Sequence, residues 1–340
     1  MKSPLILFLI SSILYCQPTK SDAFDFSKAD SIAISHSGDD LYNLPRLVYN
    51  LTFDLESEPA KFRAIYYWVC SNIKNDYSSF KKTISKRKKY DEQENKFLKW
   101  NTKYLPKVFK RLISQKKTSC TGYAYLIKEM AILAGLECEL VNGFAKTAST
   151  HLSAESKPNH SWNAIRLNGR WYLCDATWSA GKVKLENNNP SFEFDFSDGY
   201  FLSPPELFAK NHYPLEKKWL LLQEPFGFNA FLQGPLVYKG AFENGITPLQ
   251  PDKMFLNVPT KKNIEFELAV NPLTKVDSLE LVLVSGDKKT RIKPFNLEAE
   301  NRIAFSCSFG KKGRYDVHVV NDETIIATYV VDVTKNSSYP

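Results

Sequence analysis

The tightest constraint on this 340-residue chain is a dipeptide, Asn168-Gly169. It separates two runs of strand character, residues 161–167 and 170–174. Asn-Gly between such runs predicts a two-residue hairpin, because both turn residues take positive φ and these residue types do so at least cost. A two-residue turn sets the register. Leu167 faces Arg170, and stepping outward along both strands brings Trp162 opposite Asp175. His160 lies two residues before Trp162 and so belongs to the same sheet face. The hairpin therefore predicts His160 and Asp175 as diagonal neighbours, within reach of each other's side chains.

Upstream, Tyr123, Leu126, Ile127, Met130, Leu133 and Ala134 recur at spacings of three and four, and Gly135 follows as a stop signal. This predicts a helix with Cys120 at or near its N-terminus. Unpaired N–H groups and the positive dipole end there favour a thiolate. Nucleophile, base and orienting carboxylate then form an ordered set. Cys120 attacks a carbonyl carbon, His160 moves the proton and Asp175 orients the ring. The Cys120 backbone N–H is a natural donor to the carbonyl oxygen, and no second donor is legible. His151, in a polar stretch at 146–159, is a weaker alternative base, because the strand geometry favours His160. Such chemistry needs no cofactor and no metal, and the chain shows neither a CxxC pair, a zinc-type Cys/His spacing nor a calcium loop.

The segments Thr118-Ser119-Cys120-Thr121-Gly122-Tyr123-Ala124, His160-Ser161-Trp162-Asn163 and Trp171-Tyr172-Leu173-Cys174-Asp175-Ala176-Thr177-Trp178 resemble the transglutaminase-like superfamily, and within it the kyphoscoliosis-peptidase branch. The likeness extends upstream to Lys61-Phe62-Arg63-Ala64-Ile65-Tyr66-Tyr67-Trp68, Asn72-Ile73 and Asp76-Tyr77. Downstream it takes in Tyr200-Phe201-Leu202 and His212-Tyr213-Pro214. The resemblance implies a papain-related core with a Cys–His–Asp triad at Cys120, His160 and Asp175. The family's usual glycine two residues before the cysteine is replaced here by Thr118, which bears on the width of the cleft.

The rest of the chain is read around this centre. Residues 1–23 have the form of a secretory signal: Lys2, a short apolar run at 5–15, then Ser21-Asp22-Ala23. The run is too short to span a bilayer, and bulky Tyr15 before Cys16 disfavours a lipoprotein signal. A secreted or periplasmic protein is expected, with no transmembrane segment once the signal is removed. Losing Lys2, Lys20 and Asp22 takes the net charge from +8 to +7. Five cysteines remain (Cys70, Cys120, Cys138, Cys174 and Cys307), an odd number that leaves at least one free thiol. Whether Cys138 and Cys174 pair stays open. Asn50-Leu51-Thr52 and Asn159-His160-Ser161 are glycosylation sequons.

A helix is expected around 41–51, a second from Glu58-Pro59 through Ile73, and a third over 100–115 with Pro106 near its start. Trp68, on the second helix, and Trp162 are candidate substrate-binding residues. Residues 81–89 hold six cations without interleaved aromatics. They read as a solvated loop, with contact to an anionic cell surface as the functional variant and no nucleic-acid partner expected. His212 reads as structural. Residues 223–259, rich in Pro, Gly and Asn, read as a linker. From 260 to 335 the apolar period becomes two, with short strands punctuated by Gly-Asp and Asn-Asp, as in an Ig-like β-sandwich.

The expected architecture is thus α+β. Residues 24–222 form a papain-like, transglutaminase-like catalytic domain, and an all-β sandwich follows. The expected function is that of a secreted thiol enzyme acting on peptide or amide bonds of a protein or peptide substrate through a thioester acyl-enzyme. Hydrolysis is favoured over amine transfer. The competing expectation is a non-catalytic binding or scaffold protein of the cell surface.

Overall fold

The computed structural model describes residues 25–90, 92–187, 189–272, 274, 278–293 and 301–335. The proposed signal at 1–23 lies outside them. Helices α1 (Ser27–Ser35) and α2 (Leu44–Thr52) lie against α3 (Glu58–Asn72). Ser57 caps α3, its hydroxyl accepting from Ala60 N–H at 3.3 Å. The apolar stripe Phe62, Ile65, Tyr66, Val69 and Cys70 is fully buried. Arg63, on the same helix, is buried too. It is held by both Asp30 oxygens, at 2.6 and 2.8 Å, and by Asp198. These pairs fasten α1 across α3 with a bidentate fork.

Strand β1 (Lys74–Asn75) leads into α4 (Tyr77–Lys89), followed by α5 (Glu94–Gln115) and β2 (Lys117–Thr118). Two expectations fail here. Residues 81–89 are not a loop but the body of α4. Its N-cap is Asp76, whose carboxylate accepts from Ser79 N–H at 3.0 Å, and its C-terminal lysines complement the helix dipole. The next helix starts at Glu94 rather than near 100, so Pro106 lies inside it. Arg111 of α5 reaches back to Asp76 at 2.8 Å and ties the two helices together. Parallel pairing of β1 with β2 then holds the approach to α6 (Cys120–Leu133).

The central sheet comprises β3 (Glu137–Ala145), β4 (His160–Leu167), β5 (Arg170–Cys174) and, after α7 (Ala176–Ala180), the small hairpin β6 (Gly181–Glu186) with β7 (Asn189–Phe194) and helix α8 (Pro205–Phe208), the strand β8 (His212–Pro214). Its order is β5-β4-β3-β8, antiparallel throughout. Asn168 and Gly169 have φ of 49° and 80°, and Leu167 pairs with Arg170, as the hairpin register requires. Residues 146–159 form the expected irregular connection, anchored by Asn159, whose amide exchanges hydrogen bonds with Ala145 N–H and C=O at 2.7 and 3.0 Å. That engagement commits the Asn159 sequon nitrogen inside the protein.

The expected linker at 223–259 is structured. It contains α9 (Phe228–Gln233), β9 (Leu236–Val237), α10 (Lys239–Asn244), β10 (Ile246–Gln250) and β11 (Phe255–Pro259). Lys146 Nζ binds the Phe231 and Gly234 carbonyls at 2.6 and 3.0 Å, stapling α9 to the end of β3. Strands β12 (Asn263–Val270), β13 (Glu280–Ser285), β14 (Lys288–Ile292), β15 (Arg302–Ser308), β16 (Gly313–Asn321) and β17 (Thr324–Thr334) complete the chain. One sheet runs β10-β12-β15. The other runs β11-β17-β16-β13-β14, with β9 also on β17. Three strands from the supposed linker thus belong to the sandwich, β9, β10 and β11, the last two masked in the sequence by Pro248 and Pro259 at the sheet edges. Phe266 of one sheet meets Tyr329 of the other edge-to-face, with centroids 5.1 Å apart. The sandwich core is continuous with the underside of the central sheet through Leu207, Phe208, Phe242 and Ile246.

Thr118 occupies the position where the resembled family has glycine, and the space it takes is returned by Gly122. A Cβ on Gly122 would lie 1.8 Å from Thr118 Oγ1 and 2.8 Å from its Cβ. We expect Gly122→Ala to destabilise the protein by about 1–3 kcal/mol through overpacking. In a Thr118→Gly background that cost should largely vanish, giving a coupling read from denaturation midpoints in a double-mutant cycle. Additive costs would show that the Thr118 contact does not set the need for glycine.

Candidate active site

Three elements converge at one end of the central sheet. Helix α6 begins at Cys120, with extended Ser119 as its N-cap residue. Strand β4 begins at His160, and Asp175 follows β5 as the N-cap of α7. His160 Nε2 lies 2.6 Å from Asp175 Oδ2. Asp175 Oδ1 accepts from Thr177 and Trp178 N–H at 2.8 and 3.3 Å. Both carboxylate oxygens are therefore used in a place with no solvent access. The Cys120 thiol lines the same cleft as His160 and Ser161, and the His160 ring and the Ser161 N–H are near enough to lower its pKa. Sulfur, imidazole and carboxylate thus meet in one corner of the fold, the imidazole bonded to the carboxylate and the sulfur beside it.

The electrostatics follow from burial and from these bonds. Burial works against a charged His160, but the Asp175 charge and hydrogen bond outweigh it, and the imidazolium persists up to about pH 10. Asp175 is held well below the usual carboxylate range: burial opposes this, and His160 and His212 overcome it. Burial likewise raises the Cys120 thiol, yet hydrogen bonding and charge from His160 bring the net shift downward. Both shifts favour a thiolate–imidazolium pair, and the α6 N-terminus acts in the same sense.

His212 was read as structural, and it belongs to this centre. Its Nε2 lies 3.2 Å from the same Asp175 oxygen, and its Nδ1 lies 2.6 Å from Asn211 Oδ1. Burial lowers its pKa to about 4, so the ring stays neutral while His160 carries the charge. Sequence offered no signal for it beyond the His212-Tyr213-Pro214 likeness. Asp175, His160 and His212 bring three possible ligand atoms within 4.8 Å of one another. They are already hydrogen-bonded through one shared oxygen, an arrangement suited to orienting a base rather than to opening around an ion. Trp178 packs over both imidazoles, its ring centroid 5.4 Å from His160 and 4.5 Å from His212, and shields the buried pair from water.

The two tryptophans named as substrate-binding candidates lie elsewhere. Trp68 is fully buried in the helical core, and its indole N–H is spent on the His36 carbonyl at 2.8 Å. Its place on the inner face of α3 turns it away from the cleft. Trp162 is 1% exposed and packs beneath the site against Phe208 and His212. It supports His212 rather than meeting ligand. His151 is exposed on the loop and makes no part of the hydrogen-bonded pair.

The cleft itself has a volume of about 460 Å³. Cys120, Thr121, His160 and Ser161 form its floor, and α4 and α5 supply one wall through Phe80, Arg87 and Phe97. Asn142 lines it as well, with Oδ1 accepting from Ser161 Oγ at 2.8 Å, which leaves its amide N–H groups as candidate donors to a bound carbonyl. Cys70, Cys120, Cys138, Cys174 and Cys307 are free and buried, so Cys138 and Cys174 are not paired. Among the described residues no helix is long and apolar enough to cross a membrane.

Iodoacetamide should alkylate Cys120 with a pH profile displaced below that of an ordinary thiol near 8.5, because the lowered thiol pKa keeps more thiolate present as pH falls. In His160→Gln the rate should follow ordinary thiol ionisation and drop at pH 6 by roughly tenfold or more. Mass-spectrometric alkylation profiles check this, and identical profiles for the two proteins would refute the ion pair. Asp175→Ala should cost about 3–5 kcal/mol in chemical denaturation, since it strands His160 buried without its counter-charge.

Residues 45–176 match the model of the transglutaminase-like superfamily. Kyphoscoliosis peptidase of Mus musculus is 31% identical over 230 residues, covering 66% of this chain and 31% of that protein, and the Homo sapiens protein matches to the same extent. Hillarin of Drosophila melanogaster is 26% identical over 237 residues, covering 66% of this chain and 26% of its own length. The chain spans about a third of the curated peptidase relatives it matches. Joined to a helix-borne Cys120 facing a strand-borne His160, these likenesses identify the chain as a member of the transglutaminase-like superfamily, with kyphoscoliosis peptidases among its relatives.

Proposed function

We propose that this chain is a cysteine-dependent acyl-transfer enzyme acting on peptide or amide bonds. The observation that carries the reading is that Cys120 and His160 line one cleft while His160 is hydrogen-bonded to the buried Asp175. The Cys120 thiolate attacks the amide carbonyl carbon, and a C–S bond forms. The oxyanion meets the Cys120 backbone N–H, with Asn142 Nδ2 as the second donor. As the C–N bond breaks, the His160 imidazolium gives its proton to the departing amine. A thioester remains on Cys120. Water then attacks with His160 taking its proton, the C–S bond breaks, and acid and thiolate are released. A primary amine in place of water would give transfer by the same steps.

Hydrolysis is the reading we favour, on the likeness to kyphoscoliosis peptidases. Export is part of the proposal and rests on the form of residues 1–23. A scaffold that merely keeps the fold has no use for a thiol whose pKa a buried imidazole lowers.

The test is mass spectrometry of a peptide library incubated with the protein, with and without a primary amine. Cleaved peptides support hydrolysis, and amine-bearing products reassign the chain to transfer. Cys120→Ala should lower either by roughly 10³-fold or more. Asp175→Asn should lower it by about 10²–10⁴-fold while retaining the fold. Products undiminished in Cys120→Ala would refute the nucleophile.

A further inference from the structure

The wall of the cleft formed by α4 and α5 is where the chain keeps its positive charge. Residues 77–115 hold twelve Lys and Arg against three Asp and Glu, a net of +9, whereas the whole chain has +8 and the remainder therefore −1. Most of these cations point to solvent, but Arg87 does not. It is half-buried in the cleft wall, lining the same cavity as Cys120 and His160. One of its N–H groups donates to the Pro158 carbonyl, and its guanidinium sits over the Phe97 ring, 5.6 Å from the centroid. Among the described residues no carboxylate pairs with it. Glu94 and Lys157 also line the cavity, with opposite charges.

A guanidinium has five N–H donors in a planar fork, and the Pro158 bond uses one of them. Half-buried and unpaired, it bears a desolvation cost that a carboxylate would offset through a bidentate bond. Burial already weakens its hold on its proton, and the Cys120 thiolate is near enough to act in the opposite sense. A structural role alone, holding the 146–159 loop, would be met by any single donor. A fork held flat on an aromatic face beside the nucleophile is instead placed to read a planar anion.

We propose that Arg87 is the specificity-determining residue of the cleft and selects acidic peptide substrates by binding a carboxylate next to the bond presented to Cys120. The proposal deepens the thiol-enzyme reading and rests on it for what happens after binding. The carboxylate is an Asp or Glu side chain or the end of a chain, since both present the same two oxygens. The cations of α4 and α5 steer such peptides towards the cleft, and Arg87 confers the local choice.

The experiment reads binding in Cys120→Ala protein, so that it succeeds or fails independently of catalysis. The probes are fluorescein-labelled decapeptides with a central Gln flanked by Glu, Gln or Lys, each with a free or an amidated C-terminus, followed by fluorescence anisotropy. The amidated Glu peptide, or the free-ended Gln peptide, should bind about tenfold more tightly than the amidated Gln peptide. The first result assigns a side-chain carboxylate and the second a chain end. Adding Arg87→Met should bring the Glu-to-Gln ratio to within about twofold, and Arg87→Glu should turn the preference towards Lys. Equal binding of all peptides by the Arg87 protein overturns the proposal. So does a Glu preference that survives Arg87→Met, which would assign it to the general field of the helices. Tighter binding of a labelled single-stranded oligonucleotide through Arg87 would also overturn the assignment to peptide. Loss of product in the library assay with this preference intact would instead refute the enzyme reading alone.

Discussion

The centre depends on one carboxylate without access to water. Asp175 has no solvent to share its charge with, so every lone pair must find a donor within the protein. It finds His160, His212 and two backbone N–H groups at the start of α7. Such satisfaction is what makes a buried charge tolerable. The same bonds fix where β5 ends, where α7 begins, and where β8 must pass to deliver His212. Local structure, packing and chemistry are therefore not separate features here. Moving any of the four donors would disturb the ring that faces Cys120.

Much of this was legible, and the reason is the short range of the signals. Asn168-Gly169 determines a turn by its own φ preferences, and the turn determines which side chains meet across β4 and β5. Cys120 stands at a helix start that apolar spacing alone reveals. What escaped was what depends on distant chain. His212 reaches Asp175 only because β8 adds to the far edge of β3, and no local pattern encodes that pairing. Trp68 and Trp162 are large aromatics within segments that carry the family likeness, but their burial is decided by the elements packed upon them. The cationic run at 81–89 read as loop because charge concealed a capped helix, with Asp76 and Arg111 supplying the missing cues. The supposed linker contains strands too short, and too interrupted by proline, to declare themselves.

The sandwich is not a freestanding appendage. Its core runs without interruption into the aromatic layer under the central sheet, where Phe208 stacks on His212 with centroids 4.0 Å apart. Phe242, from the same supposed linker, packs on Tyr200, which in turn contacts Trp178. Layers of rings thus carry the position of the all-β half to the imidazoles. Interiors packed at this density transmit displacement rather than absorb it.

The base and its orienting carboxylate lie fifteen residues apart on one hairpin, whereas the sulfur arrives from a helix forty residues upstream of His160. Closing the first pair takes a single short loop, and seating the sulfur takes the docking of a whole helix. The two halves of the centre therefore have separate ancestries of risk. A lineage can lose the thiol by one codon change and keep an intact, preorganised histidine–aspartate pair. It cannot lose the aspartate without unsettling the helix start and the second imidazole that depend on it.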